Sequence, residues 1–119
     1  MRGGVRVFRL DRQQALEALR RWAESLPAGV LAVVLFGSLA RGDQNAFSDA
    51  DVLIVLTRSD KPFADRIPDY LPARIGIPVD VFPYTVDELR LAGREGTGVV
   101  RTALAEGLFL RGDRNQLPL

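Results

Sequence analysis

Apolar residues recur along the chain at two spacings, and together these spacings predict an alternation of helices and strands. Over Arg12–Ser25 they follow the helical spacing of three and four residues, which predicts an amphipathic helix. Two continuous apolar runs, Leu31–Phe36 and Val52–Leu56, are typical of buried strands, and the second strand is predicted to begin at Asp51. The shorter alternating run Val79–Phe82 predicts a third strand.

The flanking segments complete the prediction. Thr85 and Glu88 have the spacing of a capping box and predict a helix that extends to about Leu91. A short strand, Val5–Leu10, is predicted before the first helix. A later helical face, formed by Phe63, Ile67, Tyr70 and Leu71, is interrupted by Pro68 and Pro72. Gly93, Gly96 and Gly98 mark a connection, after which come a last helix with Val99, Val100, Ala103 and Leu104 on its apolar side and a final edge strand, Leu108–Leu110.

This order of elements predicts an α/β fold in which helices pack on a small mixed β-sheet of three to five strands. The 119 residues are enough for one hydrophobic core, and we expect residues 1–119 to form a single domain.

Composition removes several kinds of chemistry. The chain has no cysteine and no histidine, which excludes thiolate nucleophiles, zinc–thiolate sites and the usual general base. Sixteen basic residues against fifteen acidic ones leave a net charge of +1, so we do not expect direct nucleic-acid binding. Without a secretory signal or an apolar stretch of membrane-spanning length, the chain is expected to be cytoplasmic and not membrane-bound.

Two aspartates stand at the entrance of the second strand. Asp49 and Asp51 are two residues apart, so in an extended strand both side chains point the same way. At about 4 Å and an effective dielectric constant near 20, two such carboxylates repel by about 4 kcal/mol. Because no basic residue lies within three positions, a divalent cation such as Mg²⁺ is the natural compensation. A solvated strand entrance is the alternative.

The first strand ends at Gly37 and Ser38. A glycine at this point allows close approach of a ligand to the backbone, and Ser38 is expected to be the N-cap of a short helix whose N–H groups favour a bound anion. Ser38 acting only as a helix cap is the alternative. Arg41 in the same helix either contacts a bound anion through its planar guanidinium or lies on a solvated face.

In combination, Gly37-Ser38, ten residues, and then Asp49-Ala50-Asp51 resemble the signature of the DNA polymerase beta-type nucleotidyltransferase superfamily. A chain this short is similar to the minimal nucleotidyltransferases, which are often encoded beside a HEPN-domain protein. Many members have Arg directly after Gly-Ser, where this chain has Leu39.

The resemblance implies transfer of AMP from ATP to a hydroxyl group. It assigns Gly37 and Ser38 to nucleotide binding, and Asp49 and Asp51 to Mg²⁺ binding and catalysis. The triphosphate is then the anion that we expect Arg41 to contact as a further nucleotide-binding residue. Asp80, a lone charge in the third strand, matches the third catalytic and metal-binding carboxylate, provided that its strand pairs with the one that begins at Asp51. Asp80 on an edge strand facing water is the alternative.

The acceptor implied by the resemblance is a tyrosine of a HEPN-domain toxin, with this chain acting as the antitoxin. Two other functions stay open at this point. One is a non-catalytic module that neutralises a partner by contact, although such a module has no use for clustered carboxylates. The other is adenylation of a small hydroxylated molecule such as an aminoglycoside.

Overall fold

A computed structural model describes residues 12–42, 50–95 and 98–117 of the chain. In order along the chain it has five helices, α1 to α5, four strands, β1 to β4, and a closing 3-10 turn within these residues. The bounds are α1 Arg12–Ser25, β1 Val30–Phe36, α2 Ser38–Arg41, β2 Ala50–Leu56, α3 Phe63–Tyr70, β3 Val79–Thr85, α4 Val86–Glu95, α5 Gly98–Glu106, β4 Leu108–Arg111 and the 3-10 turn Arg114–Gln116.

The four strands form one mixed sheet in the order β3-β2-β1-β4. Strand β1 is antiparallel to both β2 and β4, whereas β2 and β3 are parallel. The predicted α/β fold with a small mixed sheet is thus confirmed. The N-terminal ends of β2, β3 and β4 and the C-terminal end of β1 meet at the same edge of the sheet, and this arrangement places the candidate site.

The central strands β1 and β2 are buried on both faces, which explains why their sequences are continuously apolar. Helix α1 covers one face with Ala15, Leu19 and Ala23, which pack against one set of alternating strand residues. Helices α4 and α5 cover the other face, where Leu89 and Val100 pack against the complementary set. Two apolar layers therefore hold the sheet between helices.

A buried arginine in α3 ties the loop before that helix to β3 and α4. Arg66 is 4% exposed and forms a double salt bridge with Glu88, at 2.6 and 3.0 Å. It also donates to the carbonyl groups of Lys61 and Pro83. Its hydrogen bonds hold the pKa of Glu88 below the ordinary value, and those of Glu88 raise the pKa of Arg66. Glu88 also completes the predicted capping box with Thr85.

Helices α3 and α4 differ in detail from the sequence prediction. Helix α3 continues through Pro68 to Tyr70, and Leu71 is not on its apolar face but is the half-exposed residue that follows the helix. Helix α4 does not stop near Leu91 but continues through Gly93 to Glu95. Burial of Leu89 and Ala92 against the sheet stabilises the helix and outweighs the low helix propensity of Gly93. The predicted strand Val5–Leu10 and Gly96 lie outside the described residues.

None of the helices in the described part of the chain combines the length and the hydrophobicity that crossing a bilayer requires.

Candidate active site

Asp51 and Asp80 are direct neighbours on the parallel strands β2 and β3. They are register partners, which places their Cα atoms about 4.8 Å apart. Side chains alternate along a strand, so Asp51 lies on the same face as Leu53, and Asp80 on the same face as Phe82. Both carboxylates therefore belong to the face that α4 and α5 cover, at the edge of the sheet where Asp51 is half-buried and Asp80 is exposed.

Gly37 brings the backbone of β1 against the Asp51 carboxylate. Residue Phe36, which precedes Gly37, is the register partner of Asp51 on the antiparallel side of β2. A Cβ atom built on Gly37 would lie only 2.6 Å from Asp51 Oδ2. Gly37 also has φ 83° and ψ −161°, a conformation that is essentially restricted to glycine. The contact with Asp51 and the backbone conformation both require a residue without a side chain.

Ser38 is not the N-cap of the short helix, contrary to the sequence prediction. The N-cap is Gly37, and Ser38 is the first residue of α2. The reason is that Gly37 leaves the strand in a conformation that other residues rarely adopt, so the helix can begin directly after it. Ser38 is half-buried at the junction, one residue from the position that contacts Asp51.

Leu39 and Ala40, the central residues of α2, are buried in the core on the α1 side of the sheet. The position at which many members of the resembling family have Arg is therefore used here for core packing. Arg41, at the end of α2, is exposed.

Arg41 pairs with Glu106, the last residue of α5. Arg41 Nη1 donates to Glu106 Oε1 at 2.8 Å, and the Gly37 N–H donates to the same oxygen at 3.3 Å. Glu106 therefore joins the first and last residues of the Gly37–Arg41 segment. Asp51 contacts Gly37 from the β2 side, while Glu106 reaches it from the end of α5, next to β4.

Arg12, the first residue of α1, holds the other end of α2. Its guanidinium donates to the Leu39 carbonyl at 2.9 Å and to the Ala40 carbonyl at 3.1 Å. These are carbonyl groups that a helix of four residues cannot satisfy internally. Gly42 then ends the helix in the left-handed conformation, with φ 84°.

The residues at this edge of the sheet fit a divalent cation in part. Asp51 and Asp80 supply paired carboxylates, the hard oxygen ligands that Mg²⁺ prefers, and their mutual repulsion favours a bound cation. Asp49, the other predicted ligand, lies outside the described residues. Across residues 12–42, 50–95 and 98–117 there is no group of three or more carboxylate, histidine or cysteine side chains arranged to hold a metal. Substrate phosphates usually complete a Mg²⁺ site of this kind.

The structure thus brings Gly37, Asp51 and Asp80 to one edge of the sheet, with Ser38 beside them. Arg41 is linked to the backbone of Gly37 through Glu106, which accepts a hydrogen bond from each of them. Glu106 and Arg12 are absent from the sequence prediction. They are distant along the chain from the residues they contact, and no local motif marks them.

Comparison with known proteins identifies the family of the chain. The profile of the nucleotidyltransferase domain family matches residues 13–109, which is most of the chain. No curated protein matches the sequence.

One solved structure shares the fold, and a second is also similar to this chain. A crystal structure of a toxin–antitoxin with AMP-PNP superposes with a TM-score of 0.51 at 21% identity, and the match covers 89% of this chain and 77% of the other. A candidate nucleotidyltransferase from Sulfolobus solfataricus matches with a TM-score of 0.49 at 21% identity, over 92% of this chain and 86% of the other. On the family match, with the fold in agreement, the chain belongs to the nucleotidyltransferase domain family.

Proposed function

We propose that the protein is a metal-dependent nucleotidyltransferase that transfers AMP from ATP to a hydroxyl group. The observation that carries this proposal is the register of the sheet, which pairs Asp51 with Asp80 and sets Gly37 against the Asp51 carboxylate. Two adjacent carboxylates at the end of a buried sheet repel each other, and a bound cation would offset that repulsion.

In this proposal, Gly37 and Ser38 bind the β- and γ-phosphates, and Arg41 adds a charged donor to the triphosphate. Asp51 and Asp80, together with Asp49, would hold Mg²⁺. The bound cation would neutralise the negative charge that builds up on the phosphates as the reaction proceeds. The absence of histidine makes this contribution important, since no imidazole can serve as a base.

The reaction is an in-line displacement at the α-phosphorus. The acceptor oxygen forms a bond to this phosphorus, and the bond between the α-phosphorus and the bridging oxygen of pyrophosphate breaks. The proton of the acceptor hydroxyl passes to a carboxylate. Asp80 is suited to receive it, because it is exposed at the edge of the site where an acceptor can approach. The products are an AMP ester and pyrophosphate.

The acceptor we propose is a tyrosine of a HEPN-domain toxin encoded nearby, with this chain acting as its cytoplasmic antitoxin. The resemblance to minimal nucleotidyltransferases supports this assignment. The toxin–antitoxin structure that shares the fold contains AMP-PNP, an ATP analogue, and this motivates ATP as the donor here. We further propose that residues 1–119 act as one catalytic domain.

Intact mass spectrometry of the protein encoded next to this chain tests the proposal. After incubation with this chain, ATP and Mg²⁺, the partner should gain one or more AMP units. Asp51→Asn preserves the shape of the side chain but removes its charge, and it should slow the transfer about a hundredfold or more.

Asp60→Asn is the matched control, because Asp60 is an exposed loop aspartate. It should leave the transfer unchanged. An unmodified partner that nevertheless binds this chain tightly would contradict AMP transfer to that protein and favour neutralisation by contact.

A further inference from the structure

The side chain of Glu106 is placed to control the geometry of the candidate nucleotide loop. Its Oε1 atom accepts hydrogen bonds from both the Gly37 N–H and Arg41 Nη1. Gly37 and Arg41 are the two ends of the segment to which we assign the triphosphate. One carboxylate oxygen therefore fixes the distance between the backbone at the start of α2 and the guanidinium at its end.

Glu106 itself is held in place by the turn that follows it. The next residue, Gly107, donates its N–H to the Ala103 carbonyl at 2.8 Å and begins the passage into β4. A side chain on Gly107 would collide with the Ala103 carbonyl and with a methyl group of Val34 in β1. The backbone at Glu106 is thus packed against the central strand, and its carboxylate is presented from a rigid position.

Helix α2 depends on contacts of this kind because a helix of four residues is not stable in isolation. Arg12 satisfies two carbonyl groups of α2, and Glu106 binds the N–H before it and the side chain at its end. Arg41 is a long side chain with many rotamers, and its hydrogen bond to Glu106 restricts them.

We propose that Glu106 is a positioning residue for the nucleotide site: it orients Arg41, and the loop that begins at Gly37, toward the triphosphate. Glu106 acts through Arg41 and does not contact the reacting atoms. The inference rests on the proposed function, since it assumes that Arg41 binds the nucleotide. An arginine that is already oriented loses less side-chain freedom on binding, so MgATP binds more tightly.

The sign of the effect separates this role from simple competition. Glu106 is an anion near a proposed anion site, so if it only competes with the triphosphate for Arg41, its removal strengthens binding. If Glu106 positions Arg41, its removal weakens binding. Glu106→Gln is the informative variant, because the amide keeps an oxygen that can accept from the Gly37 N–H while it loses the charge that pairs with Arg41.

Isothermal titration calorimetry with MgATP is the test, on wild type, Glu106→Gln, Arg41→Gln and the double variant. We expect Glu106→Gln to raise the Kd about three- to tenfold, and to raise it far less when Arg41 is already Gln. Glu24→Gln, on the exposed side of α1, is the matched control and should leave the Kd unchanged. In transfer assays the KM for ATP should rise more than kcat falls.

The outcomes separate the two proposals. Wild type that does not bind MgATP overturns both the proposed function and the role of Glu106. Wild type that binds MgATP, with Glu106→Gln binding equally well or more tightly, overturns the positioning role alone. An effect of equal size with and without Arg41 also overturns it, because Glu106 would then act on the loop or on global stability and not through the guanidinium.

Discussion

Replacing Gly37 with alanine tests whether the close contact between β1 and Asp51 is essential. The structure indicates two penalties for Gly37→Ala. The first is conformational: with φ 83° and ψ −161°, Gly37 occupies a backbone region that a residue with a Cβ atom avoids, and the strain is about 1–3 kcal/mol. The second is steric, because the new methyl group would lie 2.6 Å from Asp51 Oδ2.

To relieve this steric overlap, the candidate catalytic carboxylate of Asp51 has to move. Ordinary van der Waals contact for a Cβ atom begins at 3.4 Å, so the methyl group and the Asp51 oxygen must separate by about 0.8 Å. A misplacement of about 1 Å in an active site lowers the rate about a hundredfold. The strain alone lowers the melting temperature by about 4–12 °C, at about 4 °C per kcal/mol for a domain of this size.

Thermal unfolding and AMP transfer should be measured on Gly37→Ala beside Gly98→Ala. Gly98 begins α5, and a Cβ atom there meets no other atom within 4 Å. Gly98→Ala should therefore match wild type in both assays. If Gly37→Ala has the same melting temperature as Gly98→Ala and transfers AMP at the wild-type rate, neither the backbone conformation of Gly37 nor its contact with Asp51 is required for stability or activity.

Three further predictions concern stability. Arg66→Met should destabilise the fold by about 1–3 kcal/mol in urea unfolding, because it leaves two carbonyl groups without their buried donor and removes the ion pair with the partly exposed Glu88; a loss below about 0.5 kcal/mol would contradict this. The pKa of Glu88 is lowered in the folded state, so Glu88 contributes stability above its unfolded pKa and loses it as the pH falls through the folded pKa. Unfolding measured between neutral and acidic pH should show a smaller loss for Glu88→Gln than for wild type, and equal losses would refute the assignment. Gly107→Ala should lower the melting temperature, unlike Gly98→Ala, because its methyl group collides with Val34 and with the Ala103 carbonyl.

The pattern of apolar residues predicts the helices and strands of this fold well where an element is buried on one face or on both faces. The bounds of α1 agree with its predicted span, since its apolar stripe packs on the sheet throughout. Strand β2 begins at Ala50, one residue before the predicted start. Local pattern fails where tertiary packing outweighs propensity, as at Gly93 inside α4 and Pro68 inside α3.

The candidate site is predictable only in part, because it depends on contacts between distant segments. The Gly-Ser and Asp-x-Asp spacing identifies Gly37 and Asp51 from a short stretch of sequence. The adjacency of Asp80 depends on the parallel register of β2 and β3, which no local pattern sets. Glu106 is 65 residues from Arg41, and its role is visible only once α5 is packed against β1.

The burial of Arg66 also depends on contacts between distant segments and cannot be predicted from the sequence. From the sequence it is an ordinary charged position between Phe63 and Ile67. In the structure it is buried because Glu88 and two carbonyl groups from other segments accept its hydrogen bonds. A charged residue can be assigned to the interior only when its partners are known.

The most direct test of the central claim is to follow which phosphate of ATP is transferred. The chain should be incubated with its partner protein, Mg²⁺ and ATP that carries a radioactive phosphorus at either the α or the γ position. We expect the label to appear on the partner only from the α position, with pyrophosphate released, and to be lost with Asp51→Asn but not with Asp60→Asn. Label transferred from the γ position, or transfer that persists undiminished in Asp51→Asn, would contradict nucleotidyl transfer at this site.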